Sequence, residues 1–556
     1  MASTKVSLGE RISYISSTAN KDKEIDGGYI SATTPDVEGG ALRAGEAPNL
    51  LSKQSFGLLA QYAAVGLIYG TLPYTIYPFL TAYLNMEGTA TTSASALLSI
   101  PWSLKVFIGM LSDNFPIFGY RRRPFMMIGW SVCALCLFVM AFMPMPDSYF
   151  IKPEYRKLEV EELIDGVHVR ENAGSSGGKY IVLMMLASLG YVFADVAADA
   201  VVVEYAQREP EAIRGRTQTA IYTTRTFFMI IANVMLAFGM NGREYGGDFD
   251  YGMSFSNLML VLAIFCLPVV AMTWFFVHEE RFAKPNFKEY ISNLWESIKT
   301  RAFYQVIAYN FFSGVFSSVS YVASSPIQIY WVEVTNLNYN LSSIIANGVM
   351  VVTLIVVGKY GLHWNWRFVI AVTMVMVVAM DVVCTMLVTW DVFRSQWFWL
   401  GVPIVENVPY SVNFIISTYV VVELAGMGNE GACYGLLTTV SNLSSPFALT
   451  ITKNINASFD VWNKDIMSDT THVRSEVTYT IMISYFCKLA SLFFLVLLPS
   501  QKAATQELKR TGGSSKTMGI ITICYCMFAL IWSIMTNLFA IFDSTKCLKI
   551  TGGCKS

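Results

Sequence analysis

The sequence predicts an all-α polytopic membrane protein: two six-helix bundles with pseudo-two-fold symmetry, and a thirteenth apolar helix near the C-terminal end. Three observations predict it. Hydrophobic residues make up 54 % of the 556 and charged residues only 14 %, little more than half of the about 25 % that a soluble surface uses. The apolar residues gather into stretches of about 20, the length that spans a bilayer as a helix. Those stretches come as six, a charged linker, then six more. Such a composition sets aside a soluble enzyme, a disordered chain and a nucleic-acid binder. A formal net charge of -1 leaves no polyanion-binding surface.

Residues 1–54 are polar and nearly charge-balanced. They lack the apolar core of a signal peptide and hold too many acids for a transit peptide, so a disordered cytosolic tail is expected. The N-terminal bundle is placed over 55–278, with segments near 56–84, 93–112, 124–146, 180–206, 217–240 and 253–277. A cytosolic linker over 279–301 follows. The C-terminal bundle, over 302–500, has segments near 303–332, 342–358, 367–389, 397–424, 430–452 and 477–499. An extension over 501–556 contains the extra segment, 518–541, which is free of charge and long enough to span.

Basic residues orient the array. Arg121, Arg122, Arg123, Arg208, Arg214 and Arg216, the linker and the connector after segment twelve all fall on one side. The loops 85–92 and 333–341 on the other side contain no Lys or Arg. The positive-inside bias therefore places the N-terminus in the cytosol. Loop 147–179 is basic as well, but it is long and also acidic. Glycosylation sequons at Asn340 and Asn456 fall in the loops placed outside, so glycan access is expected there and not at Asn442 within a helix. Outward sequons and the absence of a targeting segment point to the plasma membrane. A monomer is expected.

The connector after segment two reads GMLSDNFPIFGYRRRP, residues 109–124. Gly109 permits close helix approach. Asp113 can cap a helix N-terminus or pair with a cytosolic arginine. Gly119 permits a tight turn. Arg121, Arg122 and Arg123 suit the membrane face, where anionic lipid attracts them. Pro124 can open the next helix. Cys133 and Cys136 form a C-x-x-C inside an apolar segment and read as packing rather than metal or redox chemistry.

The order of glycine, aspartate, glycine and basic pair resembles the major facilitator signature between helices two and three. A narrower resemblance, to the folate–biopterin transporter or BT1 family, rests on SDNFPIFGYRRRPFMMIGW (112–130), YVFADVAADAVVVEYAQREP (191–210) and RGRTQTAIYTTR (214–225). GNEGACYGLLTTVSN (428–442) is a weaker echo. The resemblance covers about 55–500. It implies the major facilitator fold and carriage of folates, pterins or, in some members, S-adenosylmethionine. The thirteenth segment departs from the family's twelve.

Charges inside the apolar segments carry the functional argument. Asp195 and Asp199 are four residues apart and share one helical face. Facing lipid would cost each at least about 2.5 kcal/mol. Their mutual repulsion favours holding a proton, so a coupling role is expected; a static ion pair between helices is the alternative. Lys105 and Arg225 lie at similar depth, where they are expected to attract a solute carboxylate or neutralise the two acids, with snorkelling the alternative for Lys105. The second half supplies Lys488, Asp381 and Glu406. Glu204, Glu423 and Glu430 are expected to act in gating with Arg121, Arg122 and Arg216. Gln61, Tyr69 and Tyr74 in segment one, and Asn310, Tyr321 and Gln328 in segment seven, are possible cavity-lining residues for a flat heterocycle. Pro73, Pro78 and Pro326 can kink those segments.

Four histidines in no metal spacing and no Walker loop leave no catalytic, metal or cofactor expectation. The reading is a secondary active transporter, not an enzyme. Its solute is a small organic molecule, folate, pterin or related, its further partners are protons and membrane lipid, and no nucleic acid is involved. Carriage of another organic solute such as S-adenosylmethionine, and a receptor or scaffold with little flux, are the alternatives.

Overall fold

The computed structural model describes residues 40–539 and Leu548, apart from 50–51, 87, 158–163, 283–285, 322, 426–429, 457 and 462. The tail over 1–39 lies outside the described residues.

The first bundle holds α1 (Lys53–Tyr69, prolonged by Ile76–Tyr83), α2 (Gly88–Ser103 and Lys105–Asn114) and α3 (Arg123–Phe142). It is completed by α4 (Gly177–Gln207), α5 (Arg216–Gly239) and α6 (Phe255–Phe276). The second holds α7 (Arg301–Ser318, resumed by Ser324–Pro326 and Ile327–Trp331), α8 (Asn336–Tyr360) and α9 (Trp366–Thr389). Its remaining members are α10 (Gln396–Leu424), α11 (Glu430–Asn456) and α12 (Thr471–Ala490, continued by Ser491–Leu497). A last helix, α13 (Lys516–Phe539), follows. Eight of these helical stretches are long and apolar enough to cross a membrane. They leave large apolar side chains such as Leu135, Phe142, Phe368, Met376 and Phe493 exposed on the outside, as a lipid-covered surface requires.

Breaks fall where the backbone chemistry puts them. Pro73 begins a short 3-10 turn and α1 resumes as a π-helix containing Pro78, because a proline has no N–H and cannot continue the ladder. Pro101 precedes the break in α2, where Leu104 leaves the helical region and Lys105 opens the second piece. That break sets the depth of Lys105.

The two bundles meet chiefly along α2–α11 and α5–α8. Small residues make the first contact possible. A Cβ on Gly109 would lie 2.3 Å from the carbonyl oxygen of Gly431, and one on Gly435 would lie 2.7 Å from that of Lys105. Gly431 and Gly435 are four apart, the small-xxx-small spacing that lets membrane helices touch backbone to backbone.

Several expectations need correction. The stretch 40–48, expected to belong to a disordered tail, is placed against the end of the bundles that carries the basic loops, termed the inner end: Leu42 and Arg43 donate their backbone N–H to the carbonyl of Gln207, and Ala41 is buried. The linker contains an amphipathic helix, Phe287–Lys299, burying Tyr290, Leu294 and Ile298. The connector after α12 contains another, Lys502–Thr511. Arg121 and Arg122 do not face lipid; both are buried, against Glu204 and Glu430. Asn456 is buried, its amide donating to the carbonyl of Thr452, so it is a poor glycan acceptor.

At the outer end, Arg394 and Arg474 both bind Asp469 and tie the α9–α10 loop to the start of α12. Partial burial raises the Asp469 carboxyl, but the two arginines outweigh that and hold it at about 2. Because that value is depressed, the clasp is present above the ordinary carboxylate range and is lost only as pH falls through about 2.

α13 packs on α2, α11, α7 and the linker helix, with Tyr525 against Phe311 and Trp532 against Phe447. Its 24 residues would extend about 36 Å. A tag after Ser556 is therefore expected to react with an impermeant reagent on intact cells, and a tag before Met1 only after permeabilisation. The reverse pattern contradicts the topology.

Candidate functional site

The core of the site is one cation held by two acids. Lys105 Nζ lies 2.6 Å from Asp195 Oδ2 and 3.1 Å from Asp199 Oδ2. All three side chains are buried, so Lys105 does not snorkel. Both acids sit on α4 one turn apart, and the lysine reaches them from the break in α2. Asp199 Oδ1 also accepts from the hydroxyls of Tyr62, at 2.6 Å, and Tyr222, at 3.3 Å. Asp195 Oδ1 has no hydrogen-bond partner among the described residues. The ammonium lies 4.6 Å from the Trp102 ring centre and 5.7 Å from that of Tyr434 on α11, where the ring faces favour a cation.

Arg225, one turn beyond Tyr222 on α5, makes no ion pair within 4.0 Å among the described residues. Its Nε has no hydrogen-bond partner among them either. The guanidinium lies 4.9 Å from the Tyr222 ring centre and 5.1 Å from that of Phe414 on α10. Those two rings are themselves 4.9 Å apart in an edge-to-face contact, so aromatic groups from both halves flank one planar cation. Tyr410 and Asp195 are further electrostatic neighbours of Arg225. Tyr69 packs on Trp102 at 5.0 Å, and Tyr74 is exposed in the α1 break.

A second cluster occupies the other half. Lys488 Nζ on α12 lies 2.6 Å from Glu406 Oε1 on α10 and 3.9 Å from Asp381 Oδ2 on α9. Tyr321 is an electrostatic neighbour of both acids. Here Glu406 is part-exposed, whereas Asp381 is buried with one oxygen unpartnered among the described residues. Asn310 and Gln328 are half-buried on α7 and its π-helical continuation. Gln61 does not join the lining: fully buried, it accepts from Trp130 and donates to Thr273, tying α1 to α3 and α6.

The inner seam carries a third set of charges. Asp113 binds Arg122 at 2.6 Å, accepts from the Tyr290 hydroxyl and caps the N-terminus of α11 through the N–H groups of Gly431 and Ala432. Glu204 faces Arg121, Arg122 and Arg43. Glu430 on the second half pairs with Arg43 at 3.0 Å. Glu423 is held by Arg214 at 3.0 Å and by Gln506. Gln207 donates to the carbonyls of Val422 and Ala425. Arg216, expected in this gate, is exposed; Arg214 takes the position. Gly119 adopts φ +84° in the α2–α3 turn, and the backbone N–H groups after it, at Arg121, Arg122 and Arg123, donate to Glu279.

Sequence reasoning did not single out Arg43, Tyr62, Trp102, Tyr222, Phe414 or Tyr434. Arg43 lies in the polar tail, and the aromatic residues look like packing until their partners are known. The i,i+3 spacing of Tyr222 and Arg225 was the one available signal.

Paired six-helix bundles meeting along α2–α11 and α5–α8, with ionisable groups buried between the helices, are the architecture of a multi-pass membrane transporter with the major facilitator fold. The Major Facilitator Superfamily model matches residues 173–449 and the BT1 family model residues 66–151. These are similarities over parts of the chain, to the BT1 family within the first bundle and to the superfamily from α4 into α11. A protein of Synechocystis sp. named folate-biopterin transporter is 22 % identical over 419 residues, 71 % of this chain and 73 % of the relative. Folate transporter 1 of Plasmodium falciparum is 36 % identical over 53 residues, 10 % of each chain. Among solved structures, a D-xylose-proton symporter superposes with a TM-score of 0.51 at 12 % identity, covering 80 % of this chain and 98 % of that one. The human organic anion transporter MFSD10 (TETRAN) gives 0.50 with the same identity and coverage. Both likenesses concern the fold alone.

Arg43→Ala removes a cation shared by Glu204 and Glu430 across the seam. In a variant whose only cysteine is Cys433, buried at the inner end of α11, labelling by an impermeant maleimide from the cytosolic side is expected to rise about fivefold, the ratio that one lost hydrogen bond of about 1 kcal/mol gives. Unchanged labelling would show that Arg43 does not hold the seam.

Proposed function

We propose that the protein carries a folate-like or pterin-like anion across the membrane by alternating access, coupled to protons. The observation that carries this reading is Arg225: a half-buried guanidinium whose Nε is buried and which has no ion pair among the described residues, lying over rings from both halves. Its planar fork suits a carboxylate. The surrounding rings suit a flat heterocycle, which stacks on aromatic faces. The names of the two relatives support the same solute class.

Charge arithmetic ties the solute to a proton. Two cations, Lys105 and Arg225, stand near two acids, Asp195 and Asp199. When a solute carboxylate takes Arg225, the remaining trio has one lysine for two carboxylates. An uncompensated charge held inside the bundle costs several kcal/mol, and a proton on one carboxylate removes it. Anion and proton therefore travel together. A cationic solute such as S-adenosylmethionine would have to displace Lys105 from both acids, which the tight pairing disfavours.

Competitive uptake of labelled folate, biopterin and S-adenosylmethionine into transport-deficient cells tests the substrate. Arg225→Ala is expected to lower uptake of the carboxylate-bearing solute about 10- to 100-fold, the range of a charge-assisted contact of about 1.5–3 kcal/mol. An undiminished rate would refute the assignment. Asp199→Asn keeps the shape and removes a titratable site. Uphill accumulation driven by a pH gradient should fall to background while exchange at equal pH survives. Full pH-driven accumulation in both Asp195→Asn and Asp199→Asn moves the proton elsewhere, to Glu204 or Glu406, or makes the carrier a uniporter.

A further inference from the structure

We propose that the Tyr222–Tyr434 hydroxyl pair is the contact through which the charge on Asp199 controls closure of the inner seam. The inference rests on the reading of Asp199 as a proton site. Tyr222 is on α5 of the first half and Tyr434 on α11 of the second, yet their hydroxyl oxygens are 2.5 Å apart and both are buried. Tyr222 has one proton, and it donates that proton to Asp199. Tyr434 must then be the donor between the two tyrosines. A chain thus runs from the second half, through Tyr434 and Tyr222, to a carboxylate of the first.

An ionised acceptor makes such a chain strong. Hydrogen bonds to a charged group are roughly twice as strong as neutral ones, and successive bonds polarise one another. Protonating Asp199 turns its end of the chain from a charged acceptor into a neutral carboxyl. The bond across the seam survives, but its charge assistance is gone. The other groups facing this point are Lys105 from α2, Tyr62 from α1, Asp195 from α4 and Arg225 from α5. Lys105 is fixed by both acids, so the hydroxyl pair is the polar link by which Asp199 itself reaches the second half.

The position of the pair makes it effective. Tyr434 lies between Gly431 and Gly435, where α11 touches the backbone of α2. The Tyr222 ring also carries Arg225 on one side and Phe414 of α10 on another. One tyrosine therefore meets the group proposed to hold the anion, the group proposed to hold the proton, and the opposite half. Weakening the chain by protonation loosens the inner seam when the proton has been taken up from outside, which is the order a symporter needs.

Hydrogen–deuterium exchange of the full-length protein in lipid nanodiscs, read over residues 430–440 and corrected for intrinsic rates, tests the proposal. In the unaltered protein, exchange at this end of α11 is expected to rise about fivefold from pH 7.5 to 5.5, and Asp199→Asn to show the raised level at both pH values. Tyr434→Phe, which keeps the ring, should also show the raised level at pH 7.5 and lose the pH response. Tyr222→Phe should behave likewise. Monodisperse protein with unchanged exchange in α3 and α6 establishes that the variants fold. A normal pH response in both phenylalanine variants overturns the proposal. If that happens while Asp199→Asn still abolishes pH-driven accumulation, only the tyrosine link fails. If Asp199→Asn itself accumulates solute normally, the proton assignment fails with it.

Discussion

A lysine ammonium shared by two carboxylates inside the bundle is the interaction on which the remaining architecture depends. No water is at hand in the hydrocarbon layer to stabilise Lys105, Asp195 or Asp199 alone, so each charge must find a partner within the protein. That requirement brings the break of α2 against α4 and directs Tyr62 and Tyr222 at Asp199. It also decides what can pack above. One turn beyond the lysine, Gly109 with Gly431 and Gly435 lets α2 and α11 touch backbone to backbone beside it.

The two halves solve the same charge problem differently. In the first half the lysine is saturated by both acids and sealed by aromatic rings. In the second, Lys488 has one close acid, a more distant one, and partial exposure through Glu406. Pseudo-symmetry of the helices therefore does not extend to the ionic groups. The dry cluster sits beside the inner seam, where a change of charge alters contacts between halves; the wetter one lies wholly within its own bundle.

At the inner end, the network is built from residues of widely different sequence position. Arg43 from the N-terminal stretch, Arg122 from the α2–α3 turn, Glu204 from α4 and Glu430 from α11 converge on one place. Asp113 serves as both arginine partner and cap of α11. A carboxylate at a helix N-terminus also meets the positive end of the helix dipole, so the same side chain stabilises α11 and closes the seam.

What the sequence by itself determined is local or additive. Helix length, apolar content and basic-loop bias depend on neighbours along the chain, and they placed the six, the linker and the six. The i,i+4 spacing of Asp195 and Asp199 likewise put them on one face before any packing was known. What only the tertiary structure decided is who partners them. Lys105 is 90 residues from Asp195, and Tyr434 is 212 from Tyr222. Depth alone left Arg225 open to the acids or to a solute carboxylate; the structure puts it over Tyr222 and Phe414, with no ion pair among the described residues. Depth in a bilayer follows from counting residues; the azimuth of a side chain depends on how helices rotate and cross. Arg121 and Arg122 turned inward for the same reason: a run of charges at a helix end does not say whether lipid or a buried carboxylate lies nearest, and here Asp113, Glu204 and Glu430 were already there.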